Sequence, residues 1–319
     1  MKKVISILTC LCLLMTTGCS RQETIRFGAA GVGGMYYPFA NAFTELASKD
    51  ETGINWKVKS TAGSAANLRL LSDNYIELGI AQADLIEDAY YGKGSFHSGK
   101  YRGYKAVASL YPEACQIVVR KDSDITSLDD LEGKNVSVGE EESGTERNAT
   151  QILEMCGLPD NLVNTKNLDY TDAADQLAEK KIDAFFCTAG ICTTVIEELT
   201  KECDIRLLEI PESCRQKLKK AYSFYDDYVI PAGTYSGQTE DIQTISVQSV
   251  LLASSNLSEK TVQKLTASLF KHIKDIQYSI SINLQLTPQE AVKGITIPFH
   301  PGAEAYYKLE GVELPEVES

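Results

Sequence analysis

The feature that most constrains the fold of this chain is a unit of strand, turn and helix that occurs twice. The apolar segment 25–30 runs into Gly31-Val32-Gly33-Gly34-Met35-Tyr36-Tyr37-Pro38. Beyond that turn, Phe39, Ala42, Phe43, Leu46 and Ala47 fall on one helical face. A strand over 56–60, a helix over 65–71 and a strand over 77–82 follow. The middle of the chain repeats this grammar. A strand over 135–139 meets the turn Glu142-Ser143-Gly144-Thr145-Glu146. Behind it lies a helix with Ala149, Ile152, Leu153 and Cys156 on one face and Gly157 as its stop. After a short extended piece, a helix opened by Thr171 leads to a strand over 183–187. The echo is one of pattern rather than of residue identity. It predicts an α/β fold of two lobes, each a mostly parallel sheet flanked by helices, with a ligand cleft between them.

The links between the lobes are read from interruptions. Strands over 105–110 and 115–120 are separated only by Tyr111-Pro112-Glu113-Ala114, where one crossing is expected. The return is expected within 228–244, because Pro231-Ala232-Gly233-Thr234-Tyr235-Ser236-Gly237-Gln238 reads as irregular chain. A strand over 245–252 then rejoins the first lobe, and a helix over 258–276 packs on it through Val262, Leu265, Leu269, His272 and Ile273. Lobe I is thus assigned 19–112 plus 237–319, and lobe II 113–236.

Residues 1–18 carry Lys2 and Lys3, an apolar stretch and then Thr16-Thr17-Gly18 ahead of Cys19, the pattern of a bacterial lipoprotein signal. Thr16 departs from the leucine usual at that position, and an ordinary buried N-terminal helix is the alternative. On the signal reading, Cys19 becomes a lipidated first residue that anchors the domain outside the cell membrane. The net charge is −13, and −15 once Lys2 and Lys3 are gone (29 basic against 44 acidic residues). A balance this acidic argues against nucleic acid as a partner. His97, His272 and His300 are scattered without metal-ligand spacing, so neither metal nor cofactor is expected. Cys156 and Cys187 read as buried free thiols, while Cys187–Cys192 and Cys203–Cys214 pairings stay open.

The glycine turn lets backbone N–H groups approach a ligand, and the helix behind it favours an anion there. Ser143 to Glu146 has capping-box spacing, and Ser143 and Thr145 add hydroxyls. Thr61-Ala62-Gly63-Ser64-Ala65-Ala66-Asn67 opens the next helix in the same way. Gln82 and Asp84 stand at the carboxyl end of an apolar strand, where open α/β sheets gather ligands, and Thr188-Ala189-Gly190 is the second-lobe equivalent. Tyr111 and Glu113 lie at the crossing. The candidate ligand set is therefore Gly33, Gly34, Met35, Tyr36, Tyr37, Ser64, Asn67, Gln82, Asp84, Tyr111, Glu113, Ser143, Gly144, Thr145 and Gly190. No dinucleotide fingerprint, Walker spacing or nucleophile elbow is present, so no catalytic residue is assigned. An enzyme on the same fold would have only Cys192 or Glu113 to offer.

These landmarks, in this order, resemble the TAXI family of TRAP-transporter solute-binding proteins. The resemblance is carried by Gly31 to Pro38, by Thr61 to Leu71, by Leu110-Tyr111-Pro112-Glu113 and by Gly139 with Ser143 to Glu146. It continues through Asp183 to Phe186 with Thr188 to Gly190, Ile230 to Tyr235, and Ile297-Pro298-Phe299-His300-Pro301-Gly302-Ala303 with Tyr306-Tyr307. It implies a type II periplasmic-binding-protein fold, working as a monomer, that delivers a small organic anion or amino acid to a TRAP membrane permease. Glutamate and glutamine are the ligands associated with such proteins. Ile191-Cys192 and the pair Glu141-Glu142 depart from the family pattern. A binding lipoprotein for an ATP-driven importer or a sensor is the rival partner assignment.

Overall fold

The computed structural model describes residues 23–317 apart from 51–52, 98, 160, 281–283 and 285. The signal segment and the lipidation position Cys19 lie outside the described residues.

In the first lobe β1 (Glu23–Gly28), β2 (Ile54–Lys59) and β3 (Leu78–Gln82) pair in parallel in the order β2-β1-β3. Helices α1 (Tyr36–Asp50), α2 (Ser64–Ser72) and α3 (Ala83–Tyr91) alternate with them. In the second lobe β5 (Asn135–Ser137), β6 (Asn164–Lys166) and β7 (Ala184–Ala189) pair in parallel, alternating with α4 (Gly144–Met155), α5 (Tyr170–Ala178) and α6 (Thr194–Glu202). The repeated grammar of the sequence is thus two copies of one β/α arrangement.

One expectation fails at the crossing. Tyr111-Pro112-Glu113-Ala114 does not interrupt the chain, because β4 runs unbroken from Tyr104 to Arg120. Its partner is β10 (Ile242–Ser254), and the two pair antiparallel from Tyr104 to Ala114. Pro112 has no N–H for the ladder, and it sits opposite Gln248, where the register shifts. Ser249 mends the gap: its hydroxyl donates to the Tyr111 carbonyl at 2.7 Å. The proline marks a β-bulge, not a loop. Strands β8 (Ile205–Leu207) and β9 (Asp226–Ile230) add to β4 and β10, and α7 (Glu212–Ala221) lies between them in sequence. The sheet is therefore mixed, with β10 and β4 at the centre of the order β2-β1-β3-β10-β4-β7-β5-β6.

Strand alternation explains the cores. Cys115, Ile117 and Val119 of β4 face one apolar cluster of the second lobe, while Ala114 and Val118 face another. A sheet covered on both faces needs nearly continuous apolar strands, as Ala184 to Ala189 shows. The first lobe is organised around Phe27, Phe39, Phe43, Leu68 and Leu71.

The expected helix over 258–276 is two helices, α8 (Glu259–Lys271) and α9 (Ile273–Ile280). The chain turns at His272, whose Nε2 lies 2.9 Å from Asp50 Oδ2. Helix α10 (Pro301–Leu309) closes the fold and packs on α8. The cysteine reading also needs correction. Cys156 is not a free thiol: it forms a disulfide with Cys214, whereas Cys115, Cys187, Cys192 and Cys203 are free. Cys156 ends α4 and Cys214 lies in α7, and packing of these helices brings their Cα atoms to 5.4 Å.

Candidate functional site

Helix starts from both lobes converge on one cavity of ≈ 50 Å³. Gly34, Met35 and Tyr36 line it from the start of α1, Gly63 and Ser64 from α2, and Ser143, Gly144 and Thr145 from α4. Gln82 reaches it from the end of β3, Glu113 from the middle of β4, and Thr188 and Ala189 from the end of β7. The walls are completed by Ala30, Gly31, Ala62, Glu140, Asp169 and Tyr170. First-turn N–H groups have no partner within their own helix, so each start presents donors and partial positive charge.

Contacts between the lobes enclose this space. The backbone carbonyl of Glu142 accepts from the N–H groups of Ala65 and Ala66, at 3.1 and 3.3 Å, and so caps α2 from the opposite lobe. The Glu142 carboxylate pairs with Arg69 across the cleft and does not line the cavity. Arg147 on α4 reaches Asp84 and Asp88 on α3. Its contact with Asp84, 3.0 Å from Nε to Oδ2, is an ion pair without an aligned hydrogen bond. Burial raises the Asp84 carboxyl to about 6, a stronger influence than the neighbouring guanidinium.

Glu113 is the central polar group. It is 2 % exposed, and its Oε2 accepts from the Tyr36 hydroxyl at 2.8 Å and from Gln82 Nε2 at 3.1 Å. Burial pushes its carboxyl up to about 8, against the lowering effect of those two donors. Burial likewise raises the Tyr36 and Tyr170 phenols well above the ordinary range, so both remain neutral donors. Tyr170 donates to the Thr188 carbonyl at 3.0 Å, and Thr145 Oγ1 accepts from Thr188 N at 3.2 Å. These bonds fix the second-lobe wall.

The structure brings Gly34, Met35, Tyr36, Ser64, Gln82, Glu113, Ser143, Gly144 and Thr145 together from the sequence candidates. It places the others elsewhere. Asn67 is a buried brace, donating to the carbonyls of Gly28 and Ile80. Tyr111 packs against Phe39, and Asp84 faces Arg147. Tyr37 is half-buried against the first-lobe core, and Gly33 borders an adjoining hollow. The Gly190 carbonyl accepts from the Thr193 hydroxyl at 2.6 Å. Ser143 does cap α4, accepting from Glu146 N at 3.0 Å, but the Glu146 carboxylate bonds Glu142 N, one residue before the capping-box position. Sequence reasoning missed Glu140, Asp169 and Tyr170. The signal for the last two was a fourth helix start, since Asp169 rather than Thr171 caps α5 and accepts from Asp172 N.

Gly144 is required by close approach. A Cβ there would lie 2.2 Å from Gln82 Oε1, across the cleft. Gly144→Ala is therefore expected to disfavour closure by about 1–3 kcal/mol, although alanine is the better helix former. Small-angle scattering should show a larger radius of gyration with the circular dichroism unchanged. An unaltered radius counts against the contact.

The fold is shared with proteins of solved structure. A protein described as a periplasmic transporter matches with a TM-score of 0.57 at 13% identity, covering 90% of this chain and 92% of the other. The binding-protein component of an ABC phosphonate transporter from Pseudomonas aeruginosa matches at 0.53 and 13% identity, over 82% and 80%. A putative L-cystine ABC transporter from Listeria monocytogenes matches at 0.52 and 15% identity, over 81% and 94%. These likenesses establish the two-lobe architecture with a cleft between the lobes. At the level of sequence, a family model matches residues 27–311, which spans both lobes and every residue of the cavity, and the chain belongs to the NMT1-like family.

Proposed function

We propose that this protein is an extracytoplasmic solute-binding subunit of a membrane importer. The observation that carries this reading is the enclosed interlobe cavity lined by the starts of α1, α2 and α4. A ligand carboxylate placed on the first-turn N–H groups of α1 and α4 would replace its hydration with fixed donors. The contacts of Glu142 and Arg147 across the cleft form only when the lobes meet, so ligand contacts that bridge the lobes would favour closure. We take 19–112 plus 237–319 and 113–236 as the moving bodies, with the lipid on Cys19 as tether. Cys192, the thiol that the enzyme alternative would use, does not line the cavity, which supports binding rather than catalysis.

The ABC-type names of the structural neighbours support an ATP-driven importer as partner. The ordered motifs from Gly31-Val32-Gly33-Gly34 to Tyr306-Tyr307 favour the second reading, a TRAP permease. Uptake by vesicles holding the cognate membrane protein separates the two, through dependence on ATP or on a sodium gradient. The binding function itself is tested by thermal-shift screening of residues 20–319 with small acids and amino acids. A ligand at a hundred times its Kd is expected to add about 2.7 kcal/mol of stability. Absence of any stabilising solute overturns the proposal.

A further inference from the structure

The ionisable wall of the cavity is one-sided. Glu113, Glu140 and Asp169 line it, and among the described residues no lysine, arginine or histidine does. The arginines that bridge the lobes are engaged elsewhere, Arg69 on Glu142 and Arg147 on Asp84 and Asp88. Glu140 and Asp169 also border the adjoining hollow of ≈ 310 Å³, so they stand where the cavity meets it.

A second observation is independent of the acids. Gln82 is 2 % exposed, and its Oε1 is buried without a hydrogen-bond partner among the described residues. Donation from Gln82 Nε2 to Glu113 Oε2 sets the direction of the amide, which leaves Oε1 as a buried acceptor packed against Gly144, in a side chain that lines the cavity. A buried acceptor without a donor is costly, so the site favours a ligand that donates. A metal ion is not the donor this wall suits, because no group of three acidic, histidine or cysteine side chains among the described residues is placed to hold one. The inner cavity of ≈ 50 Å³ has room for about four water-sized groups.

We propose that the cleft selects a small solute bearing a protonated amine, with Glu113 and the Gln82 carbonyl oxygen as acceptors of the ammonium and Glu140 and Asp169 as charges that favour its entry. This rests on the solute-binding reading and narrows it. A single carboxylate has its place at the α1 and α4 starts, so a short neutral amino acid fits. A second carboxylate, as in glutamate, meets acids and no cation.

The ammonium favours the ionised form of Glu113, so binding transfers the Glu113 proton to the buffer while the ligand keeps its own charge. The groups facing Glu113 leave this exchange to it. Tyr36, Tyr111 and Tyr170, with Cys115 and Cys187, are held neutral by burial, and Asp84, raised to about 6, is already mostly ionised at pH 6.5 and pairs with Arg147.

The experiment is calorimetric titration of residues 20–319 at pH 6.5, in two buffers of different ionisation enthalpy. Glycine and alanine are compared with their amine-free counterparts glycolate and lactate, and with succinate. At least tenfold tighter binding of the amines is expected, with release approaching one proton per ligand. Glu113→Gln should weaken amine binding at least tenfold and abolish the proton release. Gln82→Leu should weaken it while leaving the release in place. Lactate or succinate binding as tightly as alanine overturns the inference, and so does a Glu113→Gln protein with unchanged affinity. If acids bind and amines do not, only this inference falls. If neither series binds, the solute-binding reading falls with it.

Discussion

Replacing Glu113 by glutamine should make the protein more resistant to unfolding at pH 8 and leave it nearly unchanged at pH 4.5. The wild-type carboxyl titrates at about 8 in the folded chain against 4.5 in the unfolded one, with burial as the main cause. Its folded pKa is raised, so the folded state holds the proton more tightly. The associated stability is complete below pH 4.5 and is lost as pH rises towards 8. At about 1.4 kcal/mol per unit, the span amounts to at most roughly 5 kcal/mol. Asp84, raised to about 6, acts with the same sign over the lower part of that window. Asp50 and Asp130, held down near 2 by their hydrogen bonds, act with the opposite sign, but only below about pH 4. Glutamine keeps an acceptor for Tyr36 and Gln82 and cannot ionise. Urea unfolding at pH 4.5, 6 and 8 should therefore show a steep wild-type loss and a flatter variant profile. Parallel profiles would show that water reaches Glu113 freely.

Removal of the Cys156–Cys214 disulfide is the other large effect. The bridge closes a loop with a sequence separation of 58, and chain entropy assigns such a loop about 4 kcal/mol. That loop contains α5, β7 and α6, so the loss falls on the second lobe. The double substitution to serine should lower the unfolding free energy by about 2–4 kcal/mol. Neither cysteine lines the cavity, so affinity for solute at 25 °C should be retained. Equal stability with and without the bridge would mean that packing of α4 on α7 already restrains the unfolded chain. A bridge of this kind also agrees with a location outside the reducing cytosol.

Much of the architecture was legible because strand and helix periods are local properties. Phe39, Ala42, Phe43, Leu46 and Ala47 recur at helical spacing, and α1 covers that segment. Ser64 and Ser143 were legible as helix starts for the same reason. The break at Tyr111 to Ala114 was misread because proline in a sequence signals both turn and bulge. Only pairing with Gln248 and Ser249 distinguishes them. His272 was read as one more residue on a helical face, and its contact with Asp50, 222 positions away, is invisible to periodicity.

The site divides along the same line. Sequence by itself determined the strand–turn–helix repeats and the candidates Gly34, Met35, Tyr36, Ser64, Gln82, Glu113 and Ser143 to Thr145, because each stands at a strand end, a helix start or the crossing. Tertiary structure decided which of the candidates face the cavity, sending Asn67 and Tyr111 into the core and bringing Tyr170 to the wall. It also decided the charge of the cleft. The helix starts alone pointed to an anion, yet the sheet carries Glu113 beneath them, and Glu140 and Asp169 close the rim. Helix dipoles are written in local sequence, whereas the sum of charges around a buried cavity depends on residues that meet only when the lobes do.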